Sequence, residues 1–210
     1  MSVHRRSSQT VCFTGRLCLG SSFGTKSLLF YVFLFTILFG PWVCPAQSGR
    51  VSEYEVKAAF LYDFARFVDW PPAAVSNDKS PFVLCVVGAD PFGSALDASV
   101  KGQRIDEHEI AIRRMARSDD LTICRIAFIS RSESKYLPAI LDNLKASSTL
   151  VIGDAQDFAR RGGGIQLYLE DNAVHFSINV DSVQRAHLAI SSNVLALATI
   201  VHDIPSAKVN

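Results

Sequence analysis

Residues 82–93 read FVLCVVGADPFG. The unbroken apolar run 82–87 predicts a short strand buried on both faces. The Gly-Ala-Asp-Pro-Phe-Gly turn then passes the chain into a helix ending near Val100. The same unit recurs downstream. Residues 124–129 (CRIAFI) predict a second buried strand followed by a helix over 132–145, and residues 149–152 (TLVI) a third followed by a short helix over 155–160. Strands separated by helices specify an α/β fold with a partly parallel sheet.

The remaining segments extend this core in both directions. Residues 51–70 (VSEYEVKAAFLYDFARFVDW) predict an amphipathic helix, with Ser52 as N-cap and Pro71-Pro72 as its stop. Its apolar residues are Val56, Ala59, Phe60, Phe64, Phe67 and Val68. Lys101-Gly102 turns the chain into an alternating strand over 109–115. Gly162-Gly163-Gly164 opens a hairpin whose arms, 165–169 and 174–178, are joined by Asp171-Asn172. Residues 181–201 carry Val183, Leu188, Ile190, Val194, Leu195, Leu197, Ile200 and Val201 and predict a closing helix. The expectation is one α/β domain over residues 47–210, a single-domain sandwich with an about six-stranded mixed sheet flanked by helices.

Ahead of that domain, residues 28–39 (LLFYVFLFTILF) follow Lys26 and end at Gly40-Pro41, and Cys44-Pro45-Ala46 offers a small-x-small cleavage site. This pattern predicts a secretory signal peptide over residues 1–46, cut after Ala46. The alternative is an uncleaved signal-anchor, although the run falls short of the ~20 apolar residues a spanning helix needs. Val43 before Cys44 argues against a lipoprotein. Residues 1–46 hold four basic side chains and no acid, so the 164 that follow carry 17 of the 21 basic and all 20 acidic groups, a net charge of −3. A mildly acidic body has no electrostatic basis for binding nucleic acid.

Chemistry-bearing motifs are sparse. The 88–93 turn lacks the Lys-Ser/Thr of a phosphate loop, no GxSxG marks a hydrolase nucleophile, and no CxxC or HExxH marks a metal or cofactor. His108, His175, His187 and His202 fall on different elements. Arg185 and His187 are the best ligand candidates: placed in the first turns of the closing helix, they favour an anion, the alternative being a solvated face. Arg66 and Asp69 have the spacing of a surface ion pair. Trp70, at the first helix's end, either stacks on a ligand or fills the core. Tyr62, Arg66 and Trp70 together form an interface-favoured set on that helix. Of five cysteines, Cys85 and Cys124 lie outside the signal. In an oxidising compartment they are either bridged or two separate buried thiols.

Taken in order, several segments resemble the YfiR family of periplasmic proteins. They are residues 54–71 (YEVKAAFLYDFARFVDWP), CVVG at 85–88 with DPFG at 90–93, Cys124 in ICRIAFIS, VIGD at 151–154, Phe158 with Gly162-Gly163-Gly164, FSIN at 176–179 and LAISSNVLALA at 188–198. The resemblance implies a non-enzymatic, dimeric periplasmic repressor with a disulfide matching Cys85–Cys124. Its partner is implied to be the sensor region of an inner-membrane diguanylate cyclase, whose repression lowers cyclic di-GMP and restrains biofilm. An outer-membrane lipoprotein that sequesters the repressor is implied as well. So are small aromatic or nucleotide-like ligands, carried here onto Arg185 and His187. The family's second disulfide, nearer the C-terminus, has no cysteines in this chain, so redox signalling through that bridge cannot operate. The alternative is a periplasmic ligand-binding module serving a different membrane sensor such as a histidine kinase; an enzymatic role ranks last.

Overall fold

The strand at 82–87 lies inside a mixed sheet with helices on both faces. The computed structural model describes residues 52–71 and 80–203, which belong to one compact unit, Gly49–Asn210. The signal peptide expected at residues 1–46 lies outside the described residues.

Helix α1 (Glu53–Phe67) starts at a capping box: Ser52 Oγ accepts from Glu55 N at 3.2 Å, and the Glu55 carboxylate accepts from Ser52 N at 2.6 Å. Strands follow at β1 (Val68–Asp69) and β2 (Phe82–Val87), then helix α2 (Ser94–Val100), β3 (Arg104–Ile105), β4 (His108–Met115) and β5 (Ile126–Ile129). A 3-10 turn (Arg131–Tyr136) leads into helix α3 (Leu137–Leu144), followed by β6 (Leu150–Gly153), β7 (Ile165–Glu170) and β8 (Ala173–Asn179). The chain ends in α4 (Val180–Arg185), β9 (Ala189–Ile190), α5 (Ser192–Leu195) and β10 (Thr199–Val201).

The main sheet has eight strands in the order β10-β8-β7-β6-β5-β2-β4-β3, against about six expected, and β1 pairs with β9 in a separate two-stranded ribbon. The strands β4, β2, β5, β6 and β7 run parallel to one another, while β3 pairs with β4 and β8 with β7 antiparallel. Both faces are covered, so side chains of one strand alternate between two cores. Ile126 and Phe128 pack with Leu61, Phe64 and Leu84 under α1, while Ala127 and Ile129 pack with Cys85, Leu137 and Ile140 under α3. Double burial is why these strands read as continuous apolar runs. At the predicted hairpin, Asp171 and Asn172 both take positive φ (49° and 60°), the conformation of a two-residue turn that matches strand twist.

Four local expectations need correction. The closing helix is two short helices, α4 and α5, separated by β9 and followed by β10. His187, at φ 56°, takes the chain out of α4, and Ser191 caps α5 by accepting from Asn193 N. Residues 155–160 form turns rather than a helix. The Phe158 ring there lies against Gly153 and Gly163, where an added Cβ would sit 2.4 and 2.2 Å from it. The helix expected at 132–145 is a 3-10 turn followed by α3, whose first turn contains Pro138. On α1 the buried stripe is Lys57, Ala58, Leu61, Phe64 and Ala65, leaving Ala59 and Phe67 exposed. Among the described residues, no helix is long and apolar enough to cross a membrane.

Candidate functional site

In chain order the five parallel strands lie 2-1-3-4-5, so winding reverses between β2 and β5. In such sheets the crevice at the carboxyl ends of the reversal pair is the default ligand position. Here the chain's own groups narrow it. Gly88 (φ 90°) leaves β2, and a Cβ there would meet Ser132 Oγ and Glu133 Cγ at 2.6 Å. Ala89 N donates to Ser132 Oγ at 3.1 Å, tying the β2 and β5 ends together. Beside them, a 730 Å³ cleft is lined by Arg114, Met115, Arg117, Ser132 and Glu133.

Both arginines of that cleft are committed. Arg114 donates to Asp90 Oδ2 at 2.7 Å, Asp97 Oδ2 at 2.6 Å and Gly93 O at 3.0 Å, fixing the turn after β2 to α2. These bonds push the guanidinium pKa up, and the bond from Arg114 holds the Asp97 carboxyl below its usual range. Arg117 donates to Glu133 at 3.1 Å and lies 3.8 Å from the Tyr136 ring centroid.

On the α1 side of the same sheet edge is a buried polar network that sequence reasoning missed. Lys57 is fully buried, and its Nζ lies 2.8 Å from Asp154 Oδ2 and 2.5 Å from Glu53 Oε1. Asp154, one residue beyond β6, also accepts from Tyr54 Oη at 2.9 Å and lies 3.2 Å from Arg131 Nε. Burial, then the bond to Asp154, pushes the Tyr54 phenol up to about 12. The available signal was helical spacing: Lys57 precedes Leu61 by one turn and follows Glu53 by one turn, on the stripe that faces the sheet. The network's two positive and two negative charges balance, so it reads as a lock holding α1 on the sheet.

The sequence candidates separate into two places. Tyr62, Arg66 and Trp70 gather at the end of α1. Tyr62 Oη donates to Gln103 at 3.0 Å, and Arg66 lies over the Tyr62 and Phe67 rings at 5.6 and 5.4 Å. Trp70 is half-buried, edge-on to Phe82 at 5.2 Å, with Nε1 donating to Ala65 O at 3.2 Å. It therefore fills core space while its rim, with Arg66, Arg104 and Asp106, lines a 480 Å³ cleft. Arg66 makes no ion pair with Asp69 among the described residues; Asp69 lies on β1 instead.

Arg185 and His187 are not in the first turns of a helix, which removes the helix-dipole argument for an anion. Arg185 is in the last turn of α4, with Nη1 2.5 Å from Asp203 Oδ2, and His187 lies exposed beyond that end. Arg185 does border a 450 Å³ cleft with the apolar side chains Leu141, Leu144, Val151 and Ala186, which His187 does not line. Cys85 and Cys124 are bridged, with Cα atoms 5.8 Å apart and both residues fully buried.

A family model described as YfiR/HmsC-like matches residues 54–199, from the first turn of α1 to the first residue of β10. The chain belongs to the YfiR/HmsC-like family. That family is periplasmic and regulatory rather than catalytic. Among solved structures, the chain is similar to a conserved domain protein from Vibrio cholerae at 13% identity and TM-score 0.49, covering 71% of this chain and 60% of that one. It is also similar to an ABC domain in complex with L-Trp from Streptococcus pneumonia at 10% identity and TM-score 0.42, covering 57% and 56%. The chain thus spans under two thirds of either solved protein. A search of curated proteins finds no match.

Proposed function

We propose that this YfiR/HmsC-like chain is a periplasmic, non-enzymatic repressor that binds the sensor region of an inner-membrane diguanylate cyclase and so lowers cyclic di-GMP. The observation that carries this reading is the family match, which takes in every helix and nearly every strand of the described fold. The α1 end supports it with an Arg66–Tyr62–Phe67 cluster, in which Phe67 is 42% exposed, beside a cleft. Aromatic and arginine side chains of this kind are favoured at protein interfaces. Repression follows from linkage: a protein that binds one conformer of the cyclase more tightly shifts the cyclase toward it. In the same proposal the chain is exported by residues 1–46, acts as a homodimer and is sequestered by an outer-membrane lipoprotein. Deleting the gene is expected to raise cyclic di-GMP and biofilm mass several-fold, and complementation with Arg66→Glu should fail while wild type succeeds. Unchanged cyclic di-GMP on deletion and on overexpression would overturn the reading.

A second reading, a ligand-binding module serving another sensor such as a histidine kinase, is favoured by the cleft at Arg185. Its apolar wall beside one guanidinium suits a small aromatic anion. Calorimetric titration with aromatic amino acids and nucleoside monophosphates should give saturable binding that Arg185→Ala weakens about tenfold. His187→Ala, outside the cleft, should leave it unchanged. Equal binding by wild type and Arg185→Ala removes this site.

A further inference from the structure

Over residues 110–115, strand β4 is paired on one side only among the described residues. Its residues 110–115 pair with β2 through register partners 82–87, while β3 covers only His108 and Glu109. Among the described residues, no strand pairs with the outer edge of residues 110–115. Such an edge presents a row of backbone donors and acceptors ready for another strand. A 630 Å³ groove runs beside it, with Val100, Ile110 and Ile112 as its apolar lining and Lys101 and Arg104 at its rim.

The two faces of this edge differ in chemistry. Ile110 and Ile112 point toward the α1 side, where both pack against the core. On the opposite face Arg113 is exposed and, among the described residues, makes no ion pair; Lys101, likewise unpaired, is on the rim of the groove on the Ile110 and Ile112 side. A strand added here therefore meets an apolar wall, rimmed by Lys101, with alternate side chains and Arg113 with the others. A second copy is the wrong occupant. Antiparallel self-pairing centred on Arg113 would oppose the two Arg113 side chains directly, and centred on Ile112 would leave them diagonal neighbours on one face, where like charges of long side chains disfavour the pairing.

We propose that the outer edge of β4 at residues 110–115 is a docking edge for one extended strand of a partner protein, with apolar side chains toward Ile110 and Ile112 and acidic side chains toward Arg113. Main-chain hydrogen bonds supply the binding, and the alternation of side chains supplies the selectivity. The groove shares Arg104 with the cleft beside Arg66 and Trp70, so the edge and the end of α1 form one continuous surface. The proposal does not depend on which membrane protein the chain serves.

The probe is a capped, fluorescein-labelled heptapeptide of alternating valine and glutamate, compared with its valine–lysine counterpart on the full chain as processed by the cell. The acidic peptide is expected to bind at least tenfold more tightly and to slow amide exchange selectively at residues 110–115. Arg113→Glu should reverse the preference between the two peptides by about tenfold. Equal affinity for both peptides, protection located elsewhere, or concentration-dependent protection of residues 110–115 without peptide would each overturn the proposal. The wild-type peptide comparison decides the matter even if Arg113→Glu fails to fold.

Discussion

Replacing Lys57 with methionine is expected to destabilise the fold by about 3 kcal/mol, and Asp154→Ala by about 5 kcal/mol, the range for breaking a buried ion pair from one side. The asymmetry follows from what each change strands. Without Lys57, the Asp154 carboxylate still accepts from Tyr54 and still faces Arg131, whose side chain is 59% exposed. Without Asp154, a fully buried ammonium is left with Glu53 as its one acid and the face of the Tyr54 ring. A methionine fills Lys57's volume without a charge, so the loss measured is electrostatic rather than a cavity. The double variant Lys57→Met/Asp154→Leu removes both charges and should recover most of the stability, because paired apolar substitutes for buried ions are often neutral or better. Urea denaturation of the four proteins, taken as a double-mutant cycle, measures the coupling directly. If Lys57→Met lies within about 1 kcal/mol of wild type, the network does not hold α1 in place.

The second large effect concerns Cys85 and Cys124. A bridge across 39 residues restrains the unfolded chain, and the loop-entropy relation assigns it about 3–4 kcal/mol. Cys85→Ala/Cys124→Ala is expected to lose that amount. Alanine is the better probe than serine because both positions are fully buried and a hydroxyl would be left without a partner. Reduction of the wild-type chain should lower the urea midpoint to that of the variant, and the variant should not respond to reductant. A wild-type midpoint indifferent to reductant would show that the bridge contributes nothing. The bridge joins β2 to the segment entering β5, the two strands at the winding reversal, so its loss should be felt first there.

Much of the sheet was legible because double burial leaves a plain mark: FVLCVV and IAFI have no polar residue to place on a surface. The hairpin was legible through Asp171-Asn172, since few other residue pairs accept consecutive positive φ. The closing segment misled because short apolar repeats fit helix and strand alike, and only tertiary partners decide. Ile190 is taken by Val68 in β9, and Ile200 by Ile178 in β10. A two-residue strand such as β3 carries too little pattern to be found at all; it and β10, which was read as helix, are how about six strands became eight. Around the candidate site, Tyr62, Arg66 and Trp70 were brought together as expected of one helix end. Arg185 and His187 were separated because the helix expected to run to residue 201 ends at Arg185. Lys57 escaped notice because a lysine on an apolar stripe looks like solvated surface until its carboxylate, distant in the chain, is brought beside it.

Lys57 and Asp154 stand 97 residues apart. In the proposed export, amino terminus first, helix α1 is delivered before the aspartate that secures it. Until then a lysine sits on the apolar stripe with no acid but Glu53 to answer it, a charge that keeps the nascent helix wet and discourages premature collapse. Helix α1 is thus made before the residue that secures it, which makes its docking the natural point for a folding helper to act.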